Sequence, residues 1–491
     1  MSLTFEFKTT PFSHQLKGFI AHGLKEAWGV LWDQGTGKTK LLLDTAAQMF
    51  ERGDINAILI VAPNGVHRNW INDEIPLHLV DRVARRSLMG YYEAKRANTQ
   101  KHQHMARGMM AHGGLSIMAI SYNGYITQKG RLFAANFLKQ RKVLMILDEA
   151  HAVKTPGAKR TKAIVASGKY AAARRIATGT LIANGNPFDA YAPVRFLDPD
   201  FWADHGIGTF AEYKTHFGLW QQFRTETGQQ FEKCVAYRRL PLLREWLSEI
   251  SDRVEKDDVL DLPDKLYSKR YFDMSPEQSR VYREIKNASL AMLASGEVVS
   301  ASLAITRLLR QQQVTCGYVP TDDGGEDDFG DRTVELLGEH NPRLDLLGSI
   351  CDDMVHPAII WARFRKDIDL IMERLGDRAV RYDGKVSDDG CETAKRRFID
   401  GDVQFFVGNP AKGAEGLTLV QARSVIYYNN SFRYVHRKQS EDRAHRYGQK
   451  HPVDYIDIVA ANSVDISIVD ALRSKQDIAR EITGDKLKEW I

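Results

Sequence analysis

The sequence predicts an α/β protein made of two tandem parallel-sheet lobes with helical insertions. Three observations lead there. The chain has 491 residues, more than one hydrophobic core spans, which implies about two to four domains. Short, nearly continuous apolar runs, such as Ile55 to Val61 and Val143 to Leu147, read as strands buried on both faces. Both halves of the chain alternate such strands with helical stretches, the rhythm of a parallel sheet with crossover helices. The lobe boundary is expected near Val259 to Lys265, giving a first lobe over 1–258 and a second over 259–491. Helical insertions are expected at about 200–252, rich in aromatics such as Phe210, Tyr213, Phe217 and Trp220, and at about 278–340.

Hydrophobic content of 43% and charged content of 27% are ordinary for a globular protein. No apolar run approaches the roughly 20 residues that cross a bilayer, and the N-terminus lacks a basic region followed by an apolar one. These features lead to the expectation of a chain kept in a cytoplasm or nucleus, without membrane contact. Cys234, Cys316, Cys351 and Cys391 form no Cys-x-x-Cys pair, which argues against a zinc or dithiol site and for isolated buried thiols. A net charge of +5 permits a basic groove without requiring one.

In chain order, Phe12 and Gln15 come first: an aromatic ring able to stack on a base, and an amide whose donor and acceptor match an adenine edge. About twenty residues later, Gln34-Gly35-Thr36-Gly37-Lys38-Thr39 has the character of a phosphate loop, or Walker A motif. Gly35 and Gly37 lack the Cβ atoms that would hold backbone N–H groups away from a polyphosphate. Lys38 supplies a positive charge at the β/γ-phosphates and the Thr39 hydroxyl a ligand for Mg²⁺. The apolar run after Lys40 is a buried helix whose N-terminus faces the anion. ATP and Mg²⁺ are therefore the expected cofactors.

The strand ending at Val61 leads through Ala62-Pro63 to Asn64 and Arg68, placed where open α/β sheets bind ligands. A polar and basic stretch, Tyr91 to Gly114, reads as a solvated helix face. The run Val143 to Leu147 then delivers Asp148 and Glu149 to the sheet edge. One carboxylate is needed to hold Mg²⁺ and one to orient and deprotonate the attacking water; Asp148 takes the first role and Glu149 the second. A further strand ends in Thr178-Gly179-Thr180, whose hydroxyls are placed to sense the γ-phosphate.

The order of these stretches resembles the superfamily 2 helicase-like ATPases, and in detail the Swi/Snf-type DNA translocases, in a compact form such as bacterial, viral or annealing-helicase-like members. Asp148-Glu149-Ala150-His151 is similar to the DEAH box, followed by Lys154-Thr155-Pro156. Leu262-Pro263-Asp264-Lys265, Ala358 to Phe364, Phe405 to Asn409, Lys412 to Leu419 and Gln439 to Gln449 continue the family pattern. The chain departs from it at Trp32, where the family has an acidic residue, at Ala414 in place of Gly, and at Ser431-Phe432-Arg433 in place of Trp-Asn-Pro.

The resemblance implies two RecA-like lobes and adds Gly416 and Gln439 to the nucleotide site. Arg443 and Arg446, three apart, are expected on one helical face as arginine fingers that neutralise charge on the γ-phosphate. Asn64, Arg68, Lys154, Lys159, Arg160 and Lys412 are expected to meet the phosphates of duplex or branched DNA without reading bases. The implied activity is ATP-driven translocation on double-stranded DNA by a chain that can work as a monomer. A strand-separating helicase shares every motif, and a non-hydrolysing nucleic-acid scaffold is disfavoured by the complete carboxylate and arginine pairs. Thr321 to Asp328 reads as an acidic loop, and Ile468, Leu472, Ile478 and Ile482 as closing helices.

Overall fold

A computed structural model describes residues 5–179, 181–182, 186–224, 230–294, 301–321, 333–413, 417–431, 434–470 and 472. The sequence expectations on Thr180, Ala183, Asn184, the acidic residues after Thr321, Ala414, Gly416, Phe432, Arg433, Ile478 and Ile482 lie outside them. Two compact units meet in sequence between Asp261 and Leu262.

The first unit is built on seven parallel strands: β1 (Ala27–Val30), β2 (Ala57–Ala62), β3 (Ser87–Tyr92), β4 (Leu115–Ser121), β5 (Val143–Asp148), β6 (Ala173–Ala177) and, much later, β9 (Ser251–Asp252). Their order is β3-β4-β2-β5-β6-β1-β9. Because side chains alternate across a strand, Leu59, Val61, Met118, Met145 and Leu147 enter one core, while Ile58, Ile60, Ile117, Leu144 and Ile146 enter the other. Each such side chain contributes roughly 1.5–3 kcal/mol by leaving water, and two covered faces are why β2, and β5 as far as Leu147, are apolar at every position. Helix α1 (Ser13–His22) and helix α2 (Lys38–Glu51) share the second core through Phe19, Leu41, Leu42 and Leu43.

Two details of this sheet position the site. β6 lies between β1 and β5, so the tip that follows β6 falls between the loops that follow β1 and β5. Gly29 admits β9 against β1: a Cβ there would stand 2.8 Å from the Cβ of Ser251.

The stretch at 200–252, expected to be helical, holds helices Phe201–Asp204, Phe210–Phe217 and Leu240–Ile250 together with a two-stranded ribbon, β7 (Gly218–Arg224) and β8 (Gln230–Tyr237). Both strands are exposed along nearly their whole described length.

The second unit has β10 (Lys265–Phe272), β13 (Ala358–Trp361), β14 (Ala379–Tyr382), β15 (Phe405–Gly408), β16 (Ser424–Tyr427) and β17 (Val453–Ala460), parallel in the order β10-β17-β16-β13-β15-β14. Again two cores flank one sheet. Helices Pro276–Ala294 and Ala301–Thr315 and a short antiparallel pair, β11 (Tyr318–Pro320) with β12 (Val334–Leu336), occupy the insertion. Residues 464–470 are helical, and Ile468 and Leu472 are buried. Among the described residues no helix is long and apolar enough to cross a membrane.

Candidate nucleotide site

The loop after β1 has the backbone its glycines allow. Gly35 and Gly37 adopt φ of +83° and +82°, a left-handed conformation that turns successive N–H groups to one side. Gly37 also caps α2, so the helix begins where an anion would sit. A Cβ on Gly37 would lie 1.9 Å from Nε2 of Gln15. Lys38 donates from Nζ to the carbonyls of Trp32 (2.9 Å) and Asp33 (3.0 Å), bending back over the loop. The Thr36 hydroxyl donates to the carbonyl of Asp33 at 2.7 Å.

Helix α1 holds the loop from the other side. Gln15 Nε2 donates to the carbonyls of Thr36 (3.4 Å) and Gly37 (3.1 Å), and its Oε1 accepts from the Phe12 N–H at 2.8 Å. Gln15, expected at an adenine edge, uses its amide here to tie α1 to the phosphate loop. His14, missed by the sequence reading, lies 2.8 Å through Nε2 from the Thr36 carbonyl, and its ring stacks with that of Phe12 at 5.7 Å.

The end of β5 brings the carboxylates. Asp148 Oδ2 accepts from the indole of Trp70 at 2.8 Å and Oδ1 from the N–H of Glu149 at 3.0 Å, while the buried Tyr122 hydroxyl donates to the Asp148 carbonyl. Burial, then the neighbouring Glu149, push the Asp148 carboxyl up to about 6, against the pull of Trp70 and Lys38. Glu149 sits at φ +50°, a conformation a non-glycine residue adopts at a cost of about 1–3 kcal/mol and which concentrates at functional sites.

Glu149 is where three segments converge. Gln34 donates to Oε1 at 3.0 Å, the Thr178 hydroxyl stands 3.5 Å from Oε2, and His151 Nδ1 lies 3.3 Å from Oε2. The interleaved order of β1, β6 and β5 makes this meeting possible. It also puts Gly179 against the phosphate loop, where a Cβ would come 3.1 Å from the Trp32 carbonyl. Trp70 and Gln34 carried no motif signal; Gln34 was legible only as a neighbour of Gly35.

Mg²⁺ fits this donor set. Among the described residues no three His, Cys, Asp or Glu side chains gather to hold a metal, and Mg²⁺ does not ask for such a cage, taking one or two carboxylates together with waters and substrate phosphates.

In the second unit, Arg443 and Arg446 do not share a helical face. Helix Tyr434–Glu441 ends before them and both lie in the turns that follow. They still converge, because both guanidinium groups donate to the carbonyl of Leu417, at 3.0 and 3.1 Å. Arg443, buried, also donates to the carbonyl of Gln439 at 2.9 Å.

Several residues expected at DNA phosphates are tied to protein groups. Lys154 pairs with Asp189 at 2.9 Å, Arg160 donates to Asn123 at 2.8 Å, and Arg68 pairs with Glu93 over the ring of Tyr91. Lys412 reaches the Asp383 carbonyl at 2.7 Å and Cys391 Sγ at 3.1 Å. Asn64 and Lys159 are exposed.

Residues 25–317 match the SNF2-related domain and residues 343–448 the helicase conserved C-terminal domain. The chain is 25% identical over 472 residues to "Probable ATP-dependent DNA helicase CHR12" of Arabidopsis thaliana, covering 92% of this chain and 40% of that protein. It is likewise 25% identical over 461 residues to "ISWI chromatin-remodeling complex ATPase CHR17" of the same plant, covering 91% of this chain and 40% of that one. A solved structure, "Sulfolobus solfataricus SWI2/SNF2 ATPase core in complex with dsDNA", matches at 19% identity over 98% of this chain and 94% of that one, with a TM-score of 0.41. The chain thus spans about two fifths of the length of these two curated relatives.

Proposed function

The chain belongs to the SNF2-related family, and from that premise we propose that it is a DNA-dependent ATPase that hydrolyses ATP to translocate on double-stranded DNA. The observation that carries the reading is the convergence on Glu149 of the phosphate loop through Gln34 and of the β6 tip through Thr178, beside an Asp148 carboxylate held by the Trp70 indole.

In this reading Gly35, Thr36 and Gly37 present backbone N–H groups to the phosphates and Lys38 leaves its two carbonyls for the β/γ-phosphates. Thr39 and Asp148 would hold Mg²⁺, which supplies charge neutralisation when bound. Glu149, oriented by Gln34 and Thr178, accepts a proton from the attacking water. Phe12 offers an aromatic face to the base, and Gln15 acts through the loop it holds. Gln439 and Gly416 belong to the nucleotide site through the family pattern. Arg443 and Arg446 neutralise charge that builds on the γ-phosphate, a contribution typically worth about 10³–10⁵ in rate. Asn64 and Lys159 are the readiest contacts for DNA phosphates, with Arg68, Lys154, Arg160 and Lys412 joining by exchanging protein partners. The chain would work in the compartment that holds DNA, a cytoplasm or a nucleus.

ATPase rates measured with single-stranded, duplex and branched DNA and with RNA test this. Duplex or branched DNA is expected to stimulate most. Lys38→Ala should lose nucleotide binding; Glu149→Gln should bind ATP and turn over at least about 10²-fold more slowly; Arg446→Ala should keep ATP affinity and lose rate. Normal turnover in Lys38→Ala or Glu149→Gln would refute the site. The helicase named among the relatives keeps a second reading open: displacement of an annealed oligonucleotide would favour strand separation, and triplex displacement without strand opening a duplex translocase.

A further inference from the structure

We propose that Asp252 is a positioning residue for the phosphate loop: its carboxylate takes the indole N–H groups of Trp28 and Trp32 together and so fixes the strand that delivers Gly35 to Thr39 to the nucleotide. The proposal rests on the reading of that loop as the ATP site.

Trp32 is the phosphate-loop residue that departs from the family pattern, and its side chain packs between α1 and Asp252. It is fully buried. The ring lies against Gly18 of α1, where a Cβ would stand 3.0 Å from its Cζ2, and meets the His14 ring edge-on at 5.1 Å. Its Nε1 donates to Asp252 Oδ2 at 2.7 Å, and Trp28 Nε1 donates to Oδ1 of the same carboxylate at 2.7 Å. A carboxylate is acceptor-only at both oxygens, which is what two N–H donors require.

Backbone bonds extend the grip. Leu31 N–H donates to the Asp252 carbonyl at 3.0 Å and Asp33 N–H to that of Val254 at 2.9 Å. Arg253 Nη1 reaches the Leu31 carbonyl at 3.3 Å, and Lys256 N–H the Asp33 carboxylate at 3.3 Å. Residues 31–33 are thus held from one side by residues 252–256 and from the other by Lys38, which donates to Trp32 and Asp33. Lys38 has to leave those carbonyls to meet a phosphate. The bonds from residues 252–256 remain when it does.

Steady-state KM and kcat for ATP, measured on the full chain with its thermal melt recorded, test the assignment. Asp252→Asn keeps the shape but turns an N–H donor toward one indole N–H. It should raise KM by about tenfold or more, since a hydrogen bond to a charged group is worth that factor, with kcat per folded molecule little changed. Trp32→Phe placed in the Asp252→Asn background removes the opposed donor and should bring KM partway back, although Trp32→Phe alone raises it. Trp28→Phe, milder than Asp252→Asn, should raise KM by a smaller factor and serves if Asp252→Asn does not fold. An unchanged KM in Asp252→Asn, or activity lost only in proportion to unfolded protein, or a Trp32→Phe effect that simply adds, would overturn the assignment while leaving the ATP site intact. A wild-type chain that binds no ATP would overturn the reading of the loop and this proposal with it.

Discussion

At the scale of single residues, the site depends on atoms that are missing as much as on those present. Gly37 is the sharpest case, because a methyl group there would collide with the Gln15 amide at 1.9 Å and the φ of +82° is strained for any residue with a Cβ. Gly37→Ala is expected to weaken ATP binding by more than tenfold and to cost on the order of 1–3 kcal/mol of stability, read by nucleotide titration and thermal melting. Adding Gln15→Ala removes the collision but not the backbone strain, so it should restore only part of the binding. Gly35, Gly37, Lys38, Asp148 and Glu149 stand out in the sequence as candidates because each residue type has a chemical reason to stand at that spacing. The second role of Gln15, the bond from Trp70 and the doubly bonded Asp252 could not, since an amide, an indole or a lone carboxylate has no spacing that reveals its partner.

At the scale of elements, the helix Tyr434–Glu441 that precedes the two arginines is pinned by buried charge. The Arg437 guanidinium lies 3.6 Å from the centre of the Tyr427 ring and donates to Glu441 at 2.7 Å and to Asp457 at 3.2 Å. Tyr267 adds a hydrogen bond to Glu441 at 2.8 Å. Burial opposes the charge on Glu441, but Lys265 and Arg437 hold its carboxyl down at about 2. A carboxyl held below its ordinary value stabilises the fold above that value, and the contribution fades as pH falls through the native one. The second unit should therefore lose stability between roughly pH 4.5 and 2. Glu441→Gln should flatten that part of the acid titration and lower stability at neutral pH by about 3–5 kcal/mol, the usual result of breaking a buried pair; denaturant melts monitored by circular dichroism at several pH values check both. The three-residue spacing of Arg443 and Arg446 predicts one shared helical face. The turn after Glu441 instead lets both reach the Leu417 carbonyl, an acceptor from a distant segment.

At the scale of the whole molecule, a backbone-tracking motor binds DNA by displacing counterions, so DNA-stimulated ATPase activity should fall steeply with added salt while basal activity changes little. A flat salt profile would argue against phosphate tracking. By itself the sequence determined the fold class and the two parallel-sheet units, because strands covered on both faces are mostly apolar, and it pointed to a phosphate loop and a carboxylate pair as candidates, because phosphate chemistry admits few residue types. It gave no strand at β3, whose last residues, Tyr91 and Tyr92, read as the start of a helical face, none at the two-residue β9, and none at β16 and β17, which carried no motif. Only the tertiary structure decided that β6 inserts between β1 and β5, and so brings Gln34 and Thr178 to Glu149 and fits β9 with Asp252 beside β1. Strand order is set by which crossover helices can cover the sheet together, a property of the packed whole that no local run of residues encodes.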